Sequence, residues 1–121
     1  MTLNECYAAM GGDYDEAMGR LRSERLVQKF VLKFPADGSY GLLCSSMEAG
    51  NLTEAFRAAH TLKGVCSNLA FNALLSSSSS LTEALRDGNA GPEVQGLFEK
   101  VKEDYRNTVE AIQAFQEGAG G

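Results

Sequence analysis

Apolar residues recur along most of the chain at intervals of three and four positions, the spacing of one face of an α-helix. No segment alternates apolar and polar residues for long, so the pattern does not favour strands. Most glycines fall between the periodic segments, where glycine commonly ends a helix. The pattern therefore predicts an all-α protein.

The periodic segments predict two short helices followed by longer ones. Thr2-x-x-Glu5 and Asp13-x-x-Glu16 are capping-box patterns that start the short helices. We expect Ser23, Ser39, Asn51 and Asn72 to cap later helices, and Pro92 to open the last one. The predicted helices cover residues 2–9, 13–21, 24–34, 39–49, 52–69, 73–87 and 92–117.

Four amphipathic helices joined by short turns predict an antiparallel up-down four-helix bundle. We place the bundle at residues 23–117, with residues 1–22 as short helices that cap one end and residues 118–121 as a flexible tail. The helix at 24–34 carries an apolar stripe at helical spacing, made of Leu26, Val27, Phe30, Val31 and Phe34. The serine run 76–80 is predicted as helix because the leucines on either side keep helical phase through it.

The helix at 52–69 carries His60, the single histidine of the chain. Projected at about 100° per residue, one side collects Ala55, Ala58, Ala59, Leu62, Val65, Cys66 and Leu69. The other side holds Phe56, Arg57, His60, Lys63, Gly64 and Ser67. This projection places His60 away from the core, with Lys63 and Gly64 one turn further along the same face.

Size and composition suit a single domain outside the membrane. The 121 residues are enough for one domain with its own core, and no apolar run is long enough to span a bilayer. The first residues have neither a basic region nor an apolar stretch, so we expect no secretory signal and a cytoplasmic location. The net charge of −5 disfavours nucleic acid as a partner.

The sequence lacks the residue patterns of several kinds of catalytic and metal-binding site. The three cysteines, Cys6, Cys44 and Cys66, suit neither a disulfide framework nor a zinc site, and we expect buried thiols. Di-metal bundle chemistry needs Glu-x-x-His pairs, which are missing. There is no glycine-rich phosphate loop and no kinase motif, so we expect a protein that does not phosphorylate itself from ATP and is not an enzyme.

The stretch Ala59-His60-Thr61-Leu62-Lys63-Gly64, followed by Ser67-Asn68-Leu69, resembles the signature of the histidine-containing phosphotransfer (HPt) domain family. The helix broken at Pro35, the turn 48–51 and Leu81-x-x-Ala84-Leu85-Arg86-x-Gly88 are also similar, so the resemblance covers roughly residues 23–117. One departure is Ala70, where members of the family usually have glycine.

The resemblance implies a single-domain phosphorelay intermediate of two-component signalling. His60 would be the phospho-acceptor, Lys63 would stabilise the charge of the phosphoryl group, and Gly64 would give the partner access. The partner would be a response-regulator receiver domain, a hybrid histidine kinase or both. Magnesium would sit in the receiver, with no cofactor or metal on this chain, and family members of this kind are commonly monomers.

The residues around His60 leave some roles open. Phe56 either tucks under the N-terminal helices or borders an apolar docking patch, and Arg57 and Ser67 are further candidates for partner binding. The alternative function is a helical adaptor that binds a receiver or another signalling protein but has lost phosphotransfer. A hydrolase is disfavoured because no second catalytic group accompanies His60.

Overall fold

The computed structural model describes residues 1–88 and 91–120, with the side chains of residues 119 and 120 left out. Within these residues the protein is helical and has no strand, which confirms the predicted all-α class. Two short 3-10 turns lie at Phe34–Ala36 and Arg86–Gly88. The helices are α1 (Leu3–Met10), α2 (Tyr14–Leu21), α3 (Glu24–Lys33), α4 (Ser39–Ala49), α5 (Leu52–Leu69), α6 (Asn72–Leu85) and α7 (Glu93–Gly120).

Side-chain caps fix the starts of four helices as predicted. Thr2, Asp13, Ser23 and Asn51 each accept a hydrogen bond from the backbone N–H three residues later. Gly50 ends α4 in the left-handed conformation, with φ at 71°, where a glycine avoids the steric cost of a Cβ atom. The predicted bounds of α5, residues 52–69, are confirmed.

The predicted cap at Ser39 is wrong. Ser39 is the first residue inside α4, and Gly38 occupies the cap position without a side-chain hydrogen bond. The carboxylate of Asp37 instead accepts the Ser39 N–H at 2.9 Å. The 3-10 turn that contains Pro35 places Asp37 for this contact.

The predicted cap at Asn72 is also wrong, since Asn72 lies inside α6 and Phe71 holds the cap position. The backbone N–H of Ala73 donates to the Gly11 carbonyl at 3.0 Å. The turn after α1 therefore supplies a hydrogen-bond acceptor at the start of α6, in place of a capping side chain. The helix ends at Leu85, before the predicted residue 87, and continues as the 3-10 turn.

The last helix is longer than predicted. It continues to Gly120, past the predicted last residue 117, while Gly121 lies outside the described residues. The predicted flexibility of residues 118–121 stays a prediction. In the described part of the chain, no helix combines the length and the apolar character needed to cross a membrane.

Consecutive long helices pack side by side: α4 on α5, α5 on α6, and α6 on α7. Tyr40 of α4 stacks on Tyr105 of α7, with ring centroids 3.6 Å apart and planes within 4° of parallel. The inner stripe of α6 is fully buried and consists of Leu74, Ser78, Leu81 and Leu85. Ser78 satisfies its hydroxyl by donating to the Leu74 carbonyl at 2.7 Å, so the serine run is helical as predicted.

The predicted stripe of α3 is only partly buried. Val27, Val31 and Phe34 lie in the core, whereas Leu26 and Phe30 are 39% and 36% exposed. The stripe is wider than the surface that neighbouring helices cover, so one row of it faces solvent. Leu26 and Phe30 therefore belong to the stripe but not to the core.

Helix α1 is part of the core. Its residues Leu3, Cys6, Tyr7 and Met10 are buried, and it packs along α7. The Tyr7 hydroxyl donates to the Leu69 carbonyl at the end of α5, at 2.8 Å, and burial raises the pKa of this phenol. This bond ties the first helix to the end of the His60 helix.

The thiols differ in exposure. Cys6 and Cys66 are buried, and burial raises the pKa of Cys6 to about 11 and that of Cys66 to about 12. Cys44 is half-buried on α4, so the expectation of a buried thiol is wrong at that position. Neither buried thiol is a candidate nucleophile at neutral pH, because almost none of it is thiolate.

Candidate functional site

His60 is exposed on the outer face of α5. Ala59 and Leu62, its neighbours on the core side of the helix, are almost fully buried. The apolar face thus fixes the rotation of α5 and directs His60 outward, as the helical projection predicts. An exposed imidazole can act on a group that a second molecule brings to it.

The ring of Phe56 lies beside that of His60. The two planes are within 9° of parallel and the centroids are 6.2 Å apart. The guanidinium carbon of Arg86 lies 5.4 Å from the Phe56 centroid, a cation–π contact. Phe56 therefore stands between the histidine on α5 and an arginine on the turn after α6.

Phe56 does not lie under the N-terminal helices, contrary to one of the two predictions made for it. The N-terminal helices reach α5 near its C-terminal end, where Arg20 of α2 donates to the Ser67 carbonyl. Phe56 and Ser67 are separated by about 16 Å along the axis, at 1.5 Å rise per residue. Its partial burial against the core and its contact with Arg86 are compatible with a place at the edge of a docking surface.

Arg86 and Glu83 belong to the surroundings of this site, and sequence reasoning gave them no role there. Arg86 donates from Nη2 to Glu83 Oε1 at 2.7 Å and from Nε to Glu83 Oε2 at 3.2 Å. The pair lowers the pKa of Glu83, with a smaller contribution from Lys63 in the same direction. The spacing of three residues on a predicted helix gives the pair, but only the packing of α6 on α5 places it beside Phe56.

Lys63 lies one turn beyond His60 and is half-buried. Among the described residues it forms no ion pair, while Arg57 and Arg86 are each paired with a glutamate. Its ammonium group is therefore available to an anion brought to the outer face of α5.

Gly64 is exposed, and a Cβ atom built on it would meet nothing within 4 Å. A glycine inside a helix costs about 1 kcal/mol relative to alanine. Packing within this protein does not require glycine at this position.

Arg57 and Ser67, the remaining candidates, are not grouped with His60 by any contact in the structure. Arg57 is exposed and pairs with Glu54 at 3.2 Å. Ser67 is half-buried, about 10 Å further along the axis than His60 at 1.5 Å rise per residue, and its carbonyl binds Arg20. They border opposite halves of the outer face of α5.

An apolar surface lies on the α3 side of α5. A hollow of about 180 Å³ opens between the two helices, lined in part by Phe30, Phe34, Val65 and Leu69. Val65 follows Gly64 directly, so this hollow, here called the α3–α5 hollow, adjoins the outer face of α5. The unusual width of the α3 stripe was the signal in the sequence that part of it would stay exposed.

The described residues contain no group of three or more histidine, cysteine, aspartate or glutamate side chains that could hold a metal ion. The outer face of α5 offers an imidazole, an ammonium group and open space. These groups can accept and neutralise an anionic group that a partner delivers.

Comparison with known families gives one match. The family model of the Hpt domain matches residues 16–115, which span α2 to α7. No curated protein and no solved structure shows a significant match. Hpt domains are phosphocarriers of two-component phosphorelays, where they work with receiver domains and histidine kinases and are not themselves kinases. Because the match covers most of its 121 residues, the chain belongs to the Hpt domain family.

Proposed function

We propose that this protein accepts a phosphoryl group on His60 from the aspartyl phosphate of a receiver domain and returns it to a receiver aspartate. The observation that carries the proposal is the exposed position of the chain's single histidine on α5. Lys63 and the open position at Gly64 lie on the same face. A residue buried for packing would need none of these features.

The chemical step is a reversible exchange of one bond to phosphorus. The lone pair of Nε2, at the tip of the imidazole, attacks the phosphorus atom of the acyl phosphate. The N–P bond forms, the P–O bond breaks, and the aspartate leaves as a carboxylate. Nδ1 keeps its proton during the step, and the reverse reaction restores neutral histidine.

Lys63 stabilises the negative charge on the phosphoryl oxygens, and Gly64 lets the receiver approach closely. Phosphoryl transfer depends mainly on positioning and charge neutralisation. Lys63, one helical turn from the acceptor, neutralises the charge, and the docked partner provides the positioning. The ammonium of Lys63 suits this role because it has no ion-pair partner among the described residues.

The receiver docks over the outer face of α5 and the α3–α5 hollow. Phe30 and Leu26 supply exposed apolar surface on one side, and the half-buried Phe56 supplies it on the other. Arg57 and Ser67 lie at the rim of this surface. Exposed apolar side chains flanking a polar reactive group are typical of a protein-binding site.

The receiver's own acidic pocket holds the magnesium ion, and this chain contributes no cofactor. We further propose that α4, α5, α6 and α7 form an antiparallel up-down bundle, as their short connections and consecutive packing favour. A monomer in the cytoplasm remains a prediction from the sequence.

The test is transfer of label from a phosphorylated receiver domain in the presence of magnesium. Acid-labile, base-stable label is expected on the wild type and not on His60→Gln. Because His60 is exposed, this substitution leaves the core intact, and circular dichroism would check that. Label on the variant would overturn the assignment of His60. No label on either protein, with receiver binding retained, would favour the adaptor function instead.

A further inference from the structure

Glu83 is the carboxylate that faces the cations beside His60. It holds Arg86 through two hydrogen bonds of 2.7 and 3.2 Å, and Arg86 in turn lies over the ring of Phe56. Lys63 contributes to its electrostatic environment from α5. Glu83 is thus paired with the arginine on the Phe56 ring, while Lys63, which forms no ion pair with it, acts on it only at longer range.

The Arg86–Glu83 ion pair is exposed and is not part of the core. The side chains of Arg86 and Glu83 are 52% and 60% exposed, and exposed ion pairs contribute little to stability. Its position next to the reactive face therefore has more consequence than its effect on folding. Asp87, the next residue, also faces Arg86 and has no hydrogen bond to it in the structure.

We propose that Glu83 is a positioning residue that holds Arg86 on Phe56 while His60 is unmodified and opposes the retention of the phosphoryl group once His60 carries it. This inference rests on the proposed function. The phosphoryl group brings negative charge to a face where Glu83 already occupies Arg86. Glu83 competes with it for Arg86, repels it directly and offsets part of the charge of Lys63.

The consequence is a higher free energy for phosphorylated His60. The equilibrium between phosphohistidine and the receiver's aspartyl phosphate shifts toward the receiver, so the carrier gives up its phosphoryl group more readily. Glu83 does not touch the reacting atoms in this account. It acts through the two cations, by electrostatic interaction over a short distance.

Glu83→Gln separates charge from packing. The amide oxygen of the glutamine can still accept a hydrogen bond from Arg86, which holds the guanidinium on Phe56. The negative charge of the carboxylate is removed. The variant and the wild type are each equilibrated with the same receiver domain and magnesium. The ratio of phosphorylated His60 to phosphorylated receiver is then read from acid-labile and base-labile label.

The ratio is expected to rise about two- to fivefold in Glu83→Gln, since the groups are exposed and partly screened. The increase should shrink as the salt concentration is raised from about 0.05 M to about 0.5 M, because screening shortens the range of the interaction. Arg86→Gln should shift the ratio the other way. A merely structural role of Glu83 would give no such dependence on salt.

Glu99→Gln is the matched control. Glu99 pairs with Lys102 at 3.2 Å with the same spacing of three residues, but on α7. This variant should keep the wild-type ratio. A ratio in Glu83→Gln that equals the control or falls below it, with the wild type still labelled on His60, would overturn this inference alone. A wild type that takes no label from the receiver would overturn the proposed function, and this inference with it.

Discussion

At the residue scale, His60 has different surroundings on its two sides. On the α6 side, the Phe56 ring contacts the Arg86 guanidinium, which in turn donates a hydrogen bond to the Glu83 carboxylate. Toward α3 lies apolar surface, with Phe30 at its edge. The polar side is suited to tuning the charge near the imidazole, and the apolar side to binding a partner.

Sequence alone identifies the residues of this site that share one helix. His60, Lys63 and Gly64 follow from helical spacing, because α5 has a clear apolar face that fixes its rotation. Arg86 and Glu83 do not follow in this way. Their proximity to Phe56 depends on how α6 and its 3-10 turn pack on α5, which no local pattern encodes.

The docking role of the exposed aromatic on α3 can be tested with a matched pair on the same helix. Phe30→Ala should weaken binding of the receiver about fivefold or more, as loss of an interface anchor commonly does. Leu32→Ala is the control, because Leu32 is also 36% exposed but lies beside Gln28 and Lys29 on another face of α3. Isothermal titration calorimetry measures both. Equal affinities for the two variants would place the receiver elsewhere.

At the element scale, helix ends are predictable where a side chain of the helix itself closes them. Asn51 and Gly50 bracket the turn before α5, so its start follows from the sequence. The start of α6 does not, since the turn after α1 supplies a carbonyl to it. The end of α5 carries a conformational cost, because Ala70 adopts a φ of 57°, a left-handed conformation that glycine adopts without strain. This is the position where the family usually has glycine.

Substitution of Gly64 in α5 tests whether this glycine gives the receiver access to His60. Gly64→Ala should stabilise the protein by about 1 kcal/mol, because alanine is the better helix former and its Cβ meets nothing. The same substitution should slow transfer from the receiver, since the methyl group stands where the partner approaches. Urea denaturation and transfer kinetics measure the two effects.

Gly96→Ala on α7 provides the comparison, because a Cβ there would also meet nothing within 4 Å. It should give a similar gain in stability with an unchanged transfer rate. If both alanine variants transferred at the wild-type rate, Gly64 would have no role in access.

At the scale of the whole molecule, α1 packs along α7, and both N-terminal helices form hydrogen bonds to carbonyl groups near the end of α5. Leu3, Cys6 and Met10 of α1 enter the core beside α7, and the Cys6 thiol lies 3.4 Å from the Ala111 carbonyl. The sequence predicts two short helices here, but not that α1 supplies core residues. Helical patterns give which face is apolar, and tertiary packing decides which helix covers it.

The buried bond between α1 and α5 should contribute to the stability of the whole domain. Tyr7→Phe leaves the Leu69 carbonyl without its donor, and we expect a loss of about 1–2 kcal/mol. Denaturation by urea would show a lower midpoint with an unchanged slope. Phosphotransfer by the folded variant should match the wild type, since Tyr7 lies away from the exposed face. A midpoint equal to the wild type would show that this bond adds nothing.

The central claim is that one nitrogen of His60 carries the phosphoryl group, and the single histidine of the chain makes it directly measurable. Protein labelled with nitrogen-15 only in histidine is incubated with a phosphorylated receiver and magnesium, and a phosphorus NMR spectrum is recorded. We expect one phosphorus resonance on the protein, split by coupling to a single labelled nitrogen, Nε2. A protein-bound phosphorus without that coupling, or no phosphorus on the protein with a receiver that binds it, would contradict the account.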